Sequence, residues 1–244
     1  FGNVRDLDLI LPGGMWASVP VVKGLLADTP YTLVGDGEGH QIEVRGSVRA
    51  AIPVAVRPPS RLMDYVTASG RSFRSFGTVH GPYMALSPSD RCSFLSDADR
   101  CGFCGVGQSG SSGPVPVEDI VEVVRVARSE HQLDMVVLSV GHLGTEDGGV
   151  TFLEPYLSAI KKHFDILVGV DALPPTEDVW IDHTYGMGAD AVSYNLELFD
   201  PDRFEVVCPG VHRTIGRERF LSALEYAASV FPSGATSCHL MVGL

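Results

Sequence analysis

From residue 114 onwards, short apolar runs alternate with longer amphipathic segments, and this alternation limits the fold more than any other feature of the chain. The runs are LDMVVLSVG, DILVGVDAL, DAVSYNLELF and ATSCHLMVGL, with YMAL at residues 83–86 before them. Their Val, Ile and Leu content is typical of strands buried on both faces. The segments between them show helical periodicity; the first, VPVEDIVEVVRVARSEH, has on one face Val117, Ile120, Val121, Val124 and Ala127. The pattern predicts five parallel strands covered by helices.

The fold class that follows is α/β: a partial parallel (β/α) TIM-like barrel with a β-rich N-terminal extension. We assign residues 1–82 to the extension, where YTLVGDG, HQIEVRG and AAIPVAVRPP are typical of short strands broken by Gly and Pro. We assign residues 83–244 to the barrel. In such folds the chemistry lies at the C-terminal ends of the strands.

Three of the five cysteines lie close together in RCSFLSDADRCGFC, directly after the first predicted strand of the barrel. Eight residues separate Cys92 from Cys101 and two separate Cys101 from Cys104, whereas Cys208 and Cys238 are far away in the sequence. A disulfide framework favours an even number of dispersed cysteines in a small secreted chain. A reduced, cytoplasmic protein that uses thiolates as metal ligands therefore fits better.

Three thiolates are compatible with several metal groups. A closed zinc site takes four ligands, usually as two close pairs, and only Cys101 and Cys104 form such a pair. A [4Fe–4S] cluster held by three cysteines leaves one iron without a protein ligand. The glycines after Cys104 would let the backbone approach a cluster, and Phe103 could shield it or cover a planar ligand. Three alternatives stay open: cysteines without metal, an electron-carrier cluster, and a zinc staple completed by a distant residue such as Cys208 or a histidine.

With these residues identified, the chain resembles the radical S-adenosylmethionine (SAM) enzymes over residues 83–244. The sequence CGFC matches the second half of their cluster motif, whereas the first gap is eight residues instead of the common three. The later segments are similar to biotin-synthase-like members, and MDYVTASGRSFRSFGTVHGPYMAL with the wide gap resembles a subfamily found beside nitrilase-type genes. The resemblance implies that Cys92, Cys101 and Cys104 ligate a [4Fe–4S] cluster and that SAM is the second cofactor.

The resemblance also implies which residues bind SAM. Ser139 and Gly141 in SVGHLG stand where the family has a Gly-Gly-Glu stretch that meets the methionine amine, although the glutamate is absent. Asn195 and Glu197 in SYNLEL match an Asn-x-acid pair for the methionine part and the ribose, and residues two apart share one face of a strand. Arg219 in GRERF matches the arginine for the SAM carboxylate, which a guanidinium can bind through two parallel hydrogen bonds.

The same resemblance implies the chemistry. One electron, from a donor such as ferredoxin or flavodoxin, cleaves SAM to a 5′-deoxyadenosyl radical, which abstracts hydrogen from a substrate, while the segment HLMVGL lies near the adenine. His142 and Asp171 lie at predicted strand ends and are weighed as substrate or SAM contacts against ordinary loop and turn roles. For Cys208 and Cys238 a buried, purely structural place is the expectation. The segment CPGVHRTIG is expected to be a loop that closes over the site.

Charge and hydropathy limit the partners. A net charge of −12 argues against nucleic acid or an anionic membrane as a partner. No apolar run approaches the roughly 20 residues of a membrane span, and the first residues lack the pattern of a signal peptide. We therefore expect a cytoplasmic enzyme with a small-molecule substrate and with neither a nucleic-acid nor a membrane partner.

Overall fold

The computed structural model describes residues 6–20, 29–35, 39–45, 51–57, 60–107, 113–130 and 133–241. These residues form two sheets. The first has five antiparallel strands: β1 (Asp6–Ile10), β2 (Trp16–Pro20), β3 (Tyr31–Gly35), β4 (His40–Val44) and β5 (Ile52–Val56), in the order β2-β1-β5-β4-β3. Strands β3, β4 and β5 are the three runs predicted from the sequence. The predicted β-rich N-terminal region is therefore confirmed, with the β1–β2 hairpin added to it.

The second sheet has six strands: β6 (Gly77–His80), β7 (Tyr83–Leu86), β8 (Met135–Ser139), β9 (Leu167–Ala172), β10 (Ala191–Tyr194) and β11 (Thr236–Ser237). They lie in the order β11-β10-β9-β8-β7-β6. Strands β7 to β11 are parallel, and β6 pairs antiparallel with β7. The five predicted parallel strands are thus present. The described strands form an open sheet, so the α/β class is confirmed and closure into a barrel is not.

Six α-helices connect or follow these strands: α1 (Val117–Glu130), α2 (Val150–His163), α3 (Val179–Gly186), α4 (Pro201–Val207), α5 (Pro209–Thr214) and α6 (Arg217–Val230). The four amphipathic segments predicted as helices form α1, α2, α3 and α6. The expectation that CPGVHRTIG is a loop is wrong, because α5 covers most of it. Helix α5 begins at Pro209. The backbone N–H of the first helical residue has no partner within a helix, so proline loses nothing by lacking it, and the ring of proline fixes φ at a helical value.

Alternation along the strands separates the core from a polar face. Leu138, Val170 and Tyr194 are buried among the helices. Their neighbours Ser139 and Asp171 point to the opposite face, which is only half-buried, because successive side chains of a strand alternate. The helices thus cover one face of the sheet, and the other is left for polar groups.

Residues 60–82 pack with the second sheet. Leu62, Phe73 and Phe76 are buried in the same core as the strands and helices that follow, and β6 pairs with β7 across the predicted boundary between residues 82 and 83. The antiparallel sheet meets this region at the β6–β7 turn, where the Gly81 N–H donates to Asp8 Oδ2 over 3.1 Å. The division at residue 82 stays a prediction.

Candidate active site

A row of polar residues crosses the C-terminal ends of the parallel strands. Ser139, Asp171 and Ser193 are direct neighbours in register on β8, β9 and β10, and Ser237 on β11 continues the row. Asp171 Oδ2 accepts a hydrogen bond from Ser139 Oγ at 3.3 Å. Burial raises the pKa of the Asp171 carboxyl, and the hydrogen bond from Ser139 opposes that rise. The row places a buried acid at the edge where chemistry is expected.

Asn195 extends this row with a fixed amide orientation. Its Nδ2 donates to Asp171 Oδ1 over 2.9 Å. Its Oδ1 accepts from Ser193 Oγ at 2.6 Å and from the His239 backbone N–H at 3.0 Å. Because a backbone N–H can only donate, the atom that faces His239 is the oxygen. Asn195 therefore has both oxygen lone pairs engaged and one N–H left for a ligand.

Glu197 lies beside the C-terminal segment of the described chain. The Glu197 N–H donates to His239 O at 3.0 Å, and Met241 N–H donates to Glu197 O at 2.7 Å. Burial raises the pKa of the Glu197 carboxyl; His239 opposes the rise and Asp171 adds to it. Since β10 ends at Tyr194 and Glu197 has a left-handed φ of 66°, the strand geometry we expected for Asn195 and Glu197 is wrong. The two residues nevertheless lie in one polar network.

The three clustered cysteines are half-buried and free, and they interact with one another. Burial raises the pKa of the Cys92 thiol, backbone N–H groups of Phe94 and His142 oppose this by hydrogen bonding to the sulfur, and the neighbouring Cys104 and Cys101 raise it further. The three thiols are therefore close enough to influence one another electrostatically. Residues 108–112, which include part of the glycine- and serine-rich stretch after Cys104, lie outside the described residues.

Cys208 is a fourth thiol at this place. A hydrogen bond with Cys208 lowers the pKa of Cys101, and the same contact, with burial, raises the pKa of Cys208. Cys208 is fully buried, as expected from the sequence. The sequence offered Cys208 only as one of several distant candidates for this site, because 106 positions lie between Cys101 and Cys208 and only the fold brings them together.

The eight-residue gap between Cys92 and Cys101 is packed against the corner between α4 and α5. Gly102 N–H donates to Val207 O over 2.8 Å, and Gly210 N–H donates to Asp99 O over 3.1 Å. Arg213 forms an ion pair with Asp99. The unusual length of the gap is thus explained by a structured segment that docks on the helices.

The other residues predicted to bind SAM, Gly141, Phe103 and Arg219, lie in different surroundings. Gly141 lies against Cys92: a Cβ built on Gly141 would be 2.9 Å from the Cys92 Cβ. Phe103 is 44% exposed next to two of the cysteines. Arg219 Nη1 pairs with Asp178 Oδ1 at 2.8 Å, and its Nε donates to Pro175 O at 2.7 Å.

Arg219 also lies beside Tyr194, on the face of the sheet that the helices cover. Its charge opposes the strong rise that burial gives to the Tyr194 pKa. Within the described chain, Arg219 Nη2 and the Tyr194 hydroxyl are buried without a hydrogen-bond partner. The hydrogen bonds of Arg219 within the described chain go to Pro175, Asp178 and Ser222 and not to Asn195 or Glu197, so the structure does not bring this arginine into the polar row.

The arrangement of the cysteines bears on whether they hold a single metal ion or an iron–sulfur cluster. Among the described residues, no three His, Cys, Asp or Glu side chains converge to hold a single metal ion. A cubane differs because its ligands surround an inorganic core instead of one ion. Three free, half-buried thiols that influence one another electrostatically are compatible with such a core in their chemistry, and the end of β8 lies against Cys92.

Comparison with known proteins identifies the family. Residues 86–244 match the family model of the Radical SAM superfamily. Since the match covers more than half of the chain, the chain belongs to this superfamily. The predicted family is confirmed, and with it, at the level of the superfamily, metal binding and the cofactors [4Fe–4S] cluster and SAM. The zinc staple is not favoured.

Solved structures agree on the fold. Methylornithine synthase matches with a TM-score of 0.51 and 14% identity over 66% of this chain and 44% of its own length. The FeFe-hydrogenase maturase HydG from Carboxydothermus hydrogenoformans matches with a TM-score of 0.52 and 18% identity over 65% of this chain and 35% of its own length. The chain thus spans less than half the length of either protein. A search of curated proteins found no match.

In the described part of the chain, no helix is both long and apolar enough to span a bilayer. The expectation of a cytoplasmic location stays a prediction.

Proposed function

We propose that Cys92, Cys101 and Cys104 hold a [4Fe–4S] cluster, and that the chain uses it to cleave SAM reductively and act on a small molecule. The observation that supports the proposal is the close packing of Gly141, just after β8, on Cys92, at the same C-terminal edge of the sheet as the polar row. Cys101 and Cys104 influence the Cys92 thiol electrostatically. The bound cluster would supply an electron to SAM, which yields a 5′-deoxyadenosyl radical that abstracts hydrogen from the substrate.

The polar row supplies SAM contacts of matched chemistry. The remaining N–H of Asn195 can donate to an oxygen of the methionine part, because its other groups are already engaged. Glu197 offers carboxylate oxygens to ribose hydroxyls, and Ser139 and Gly141 offer groups at the end of β8. Phe103, next to the cysteines, would shield the cluster and its ligand from solvent.

Arg219 is left out of the proposed SAM site. Its guanidinium binds Pro175 and Asp178, and it lies beside Tyr194 on the face of the sheet that the helices cover. The two parallel hydrogen bonds to the SAM carboxylate that the sequence suggested are therefore not part of the proposal.

Radical SAM enzymes act on a substrate and take electrons from a reductant. For this chain we propose a small-molecule substrate and a ferredoxin or flavodoxin as the donor, in keeping with a net charge of −12 that disfavours nucleic acid.

Anaerobic reconstitution with iron and sulfide tests the cluster assignment. The expected protein binds about four irons per chain, because a cubane contains that number, and its charge-transfer absorbance changes when SAM is added. Cys92→Ala, Cys101→Ala and Cys104→Ala should each prevent this, whereas Cys238→Ala should not. One zinc per chain with no iron would instead establish the metal-stapled, non-enzymatic alternative.

A further inference from the structure

The turn after β8, residues 141–144, lies directly against the segment that carries Cys92. A Cβ added to Gly141 would lie 2.8 Å from Arg91 O and 2.9 Å from the Cys92 Cβ, which is closer than real Cβ atoms approach. Glycine at position 141 therefore lets the two loops come into contact. They meet at Ser93 and His142, which are 49 positions apart in the sequence. This approach puts His142 beside the first cysteine.

His142 makes several hydrogen bonds to the residue after Cys92. The Ser93 N–H donates to His142 O over 2.6 Å. Ser93 Oγ lies 2.9 Å from the same oxygen and 3.0 Å from the ring Nδ1. Gly144 N–H donates to Nδ1 over 3.2 Å. Because Nδ1 accepts from a backbone N–H, the ring proton lies on Nε2 and the imidazole is neutral.

The His142 ring also stacks on the next residue of the same segment. The ring centroids of Phe94 and His142 are 4.8 Å apart with an interplanar angle of 24°. Phe94 is buried in the core. The imidazole thus contacts Ser93 through its polar edge and Phe94 through its face, and these are the two residues that follow Cys92.

The contact between His142 and the segment after Cys92 helps to hold the long stretch between Cys92 and Cys101 at its near end. The far end of the gap is held by α4 and α5, through Asp99 and Gly102. Its near end follows β7, which ends at Leu86, and Phe94 is buried in the core. The turn at residues 141–144 adds a further attachment between these two points, at Ser93, and places the His142 backbone N–H near the Cys92 sulfur.

We propose that His142 is a positioning residue that holds Cys92 in the place from which it ligates the cluster, through Ser93 and Phe94. The inference rests on the proposed function, since it requires that Cys92 is a cluster ligand. It has a consequence for the cluster. Hydrogen bonds to ligand sulfurs stabilise the reduced state, so movement of Cys92 away from the backbone N–H groups of Phe94 and His142 lowers the reduction potential.

Two substitutions separate the contributions of the ring. His142→Asn keeps an acceptor near the Nδ1 position but loses the stacked ring, and His142→Phe keeps the ring but loses the acceptor. His142→Ala loses both, and Ser93→Ala removes the hydroxyl partner. His163→Ala is the matched control, because His163 is exposed at the end of α2, where its ring lies near Phe164.

The experiment uses reconstituted protein without SAM, so that no catalytic step enters the measurement. Its readouts are the rate of iron release to a chelator, the reduction potential followed by electron paramagnetic resonance, and the melting temperature. In His142→Ala we expect iron release to accelerate about fivefold, which is the scale of one lost hydrogen bond, and the potential to fall. His142→Asn and His142→Phe should fall between wild type and His142→Ala.

The double variant Ser93→Ala/His142→Ala tests the route of the effect. If His142 acts through Ser93, the double variant should release iron no faster than His142→Ala alone. Wild-type release and potential in His142→Ala would overturn the inference and leave the proposed function standing. Failure of the wild-type protein to bind iron would overturn both. If His142→Ala melts below the working temperature, Ser93→Ala provides the same comparison.

Discussion

At the end of β9, the Asp171 carboxylate accepts hydrogen bonds from Ser139 and from Asn195. The second of these bonds orients the Asn195 amide, whose oxygen is engaged by Ser193 and the His239 backbone. Asp171 thus acts on the proposed SAM site through Asn195. The sequence indicated Asp171 as a candidate because it lies at the end of a predicted strand. Its hydrogen-bond partners depend on the register of the strands, which the sequence does not specify.

Asp171→Ala should weaken SAM binding about tenfold, since a hydrogen bond to a charged group contributes roughly 1.5–3 kcal/mol. The measurement is equilibrium dialysis of SAM against cluster-loaded protein. Asp165→Ala is the control, because Asp165 is exposed just before β9, at the opposite end of the strand. Equal SAM affinity in Asp171→Ala and Asp165→Ala would show that Asn195 does not need Asp171.

Single residues also show where sequence reasoning stops. Asn195 and Glu197 were found from SYNLEL, yet their contacts to residues 239 and 241 come from a tail that the fold places beside them. The same holds for Arg219, whose ion pair with Asp178 spans 41 positions. Residue type and spacing indicate what a side chain can bind, whereas tertiary neighbours decide whether it is free to do so.

Helix α2 begins at a cap supplied by Asp147. Its carboxylate accepts from the Gly149 N–H and the Thr151 N–H, each over 3.0 Å, and from the Thr145 hydroxyl. Although burial opposes the charge, these hydrogen bonds lower the pKa of Asp147 from 3.8 to about 2. A depressed carboxyl pKa adds stability above the unfolded-state pKa, and that stability is lost as the pH falls through the folded value.

Asp147→Ala should therefore cost about 2 kcal/mol of unfolding free energy at neutral pH, from a shift of nearly two pKa units. The difference from wild type should shrink as the pH falls from about 4 towards 2. Urea unfolding at a series of pH values measures it. Glu146→Ala, at an exposed neighbouring acid, should show no such trend; a pH-independent difference in Asp147→Ala would contradict the account.

The corner between α4 and α5 is the element that supports the wide cysteine gap. A Cβ on Gly210 would lie 2.6 Å from Asp99 O and 2.7 Å from Phe94 Cδ1. Gly210→Ala should push the gap segment away, cost about 1–3 kcal/mol through overpacking, and reduce the iron bound on reconstitution. Iron analysis and thermal melting measure the two effects.

Gly186→Ala is the matched control for Gly210→Ala. A Cβ on Gly186 meets nothing within 4 Å, and the residue ends helix α3. We expect normal iron binding in this variant. Normal iron binding in Gly210→Ala as well would mean that docking of the gap on α5 does not support the cluster site.

Among the secondary-structure elements, the spacing of apolar residues was sufficient to predict the long helices and the buried strands. Apolar residues at helical spacing predicted α1, and its Ile120, Val124 and Ala127 are buried. The sequence did not reveal α5 or β6, because both are short. Their formation depends on packing with neighbours more than on local propensity.

In the whole molecule, residues 60–82 belong with the core of the second sheet. Ser60 Oγ donates to Glu130 Oε2 over 3.0 Å, and Tyr65 Oη donates to Glu122 Oε1 over 2.5 Å, both on α1. A chain that begins at residue 60 should therefore keep the six-stranded sheet. A chain that begins at residue 83 loses Leu62, Phe73 and Phe76, whose burial contributes roughly 5 kcal/mol or more together.

Circular dichroism melting of the two truncated chains tests this difference. The chain from residue 60 should melt cooperatively and bind iron, and the chain from residue 83 should do neither. Equal cooperativity in both would support the division at residue 82 as it was predicted from the sequence. The alternation of strands and helices predicted the architecture of the sheet, but not which preceding residues complete its core.

The central claim is that three cysteines at an unusual spacing hold a cluster that cleaves SAM. The most direct measurement is the release of 5′-deoxyadenosine from SAM by anaerobically reconstituted protein after reduction with dithionite. We predict release by wild type and by Cys238→Ala, and none by Cys92→Ala, Cys101→Ala or Cys104→Ala. A fully loaded, reduced protein that binds SAM and releases no 5′-deoxyadenosine, or undiminished release by any of the three variants, would contradict the claim.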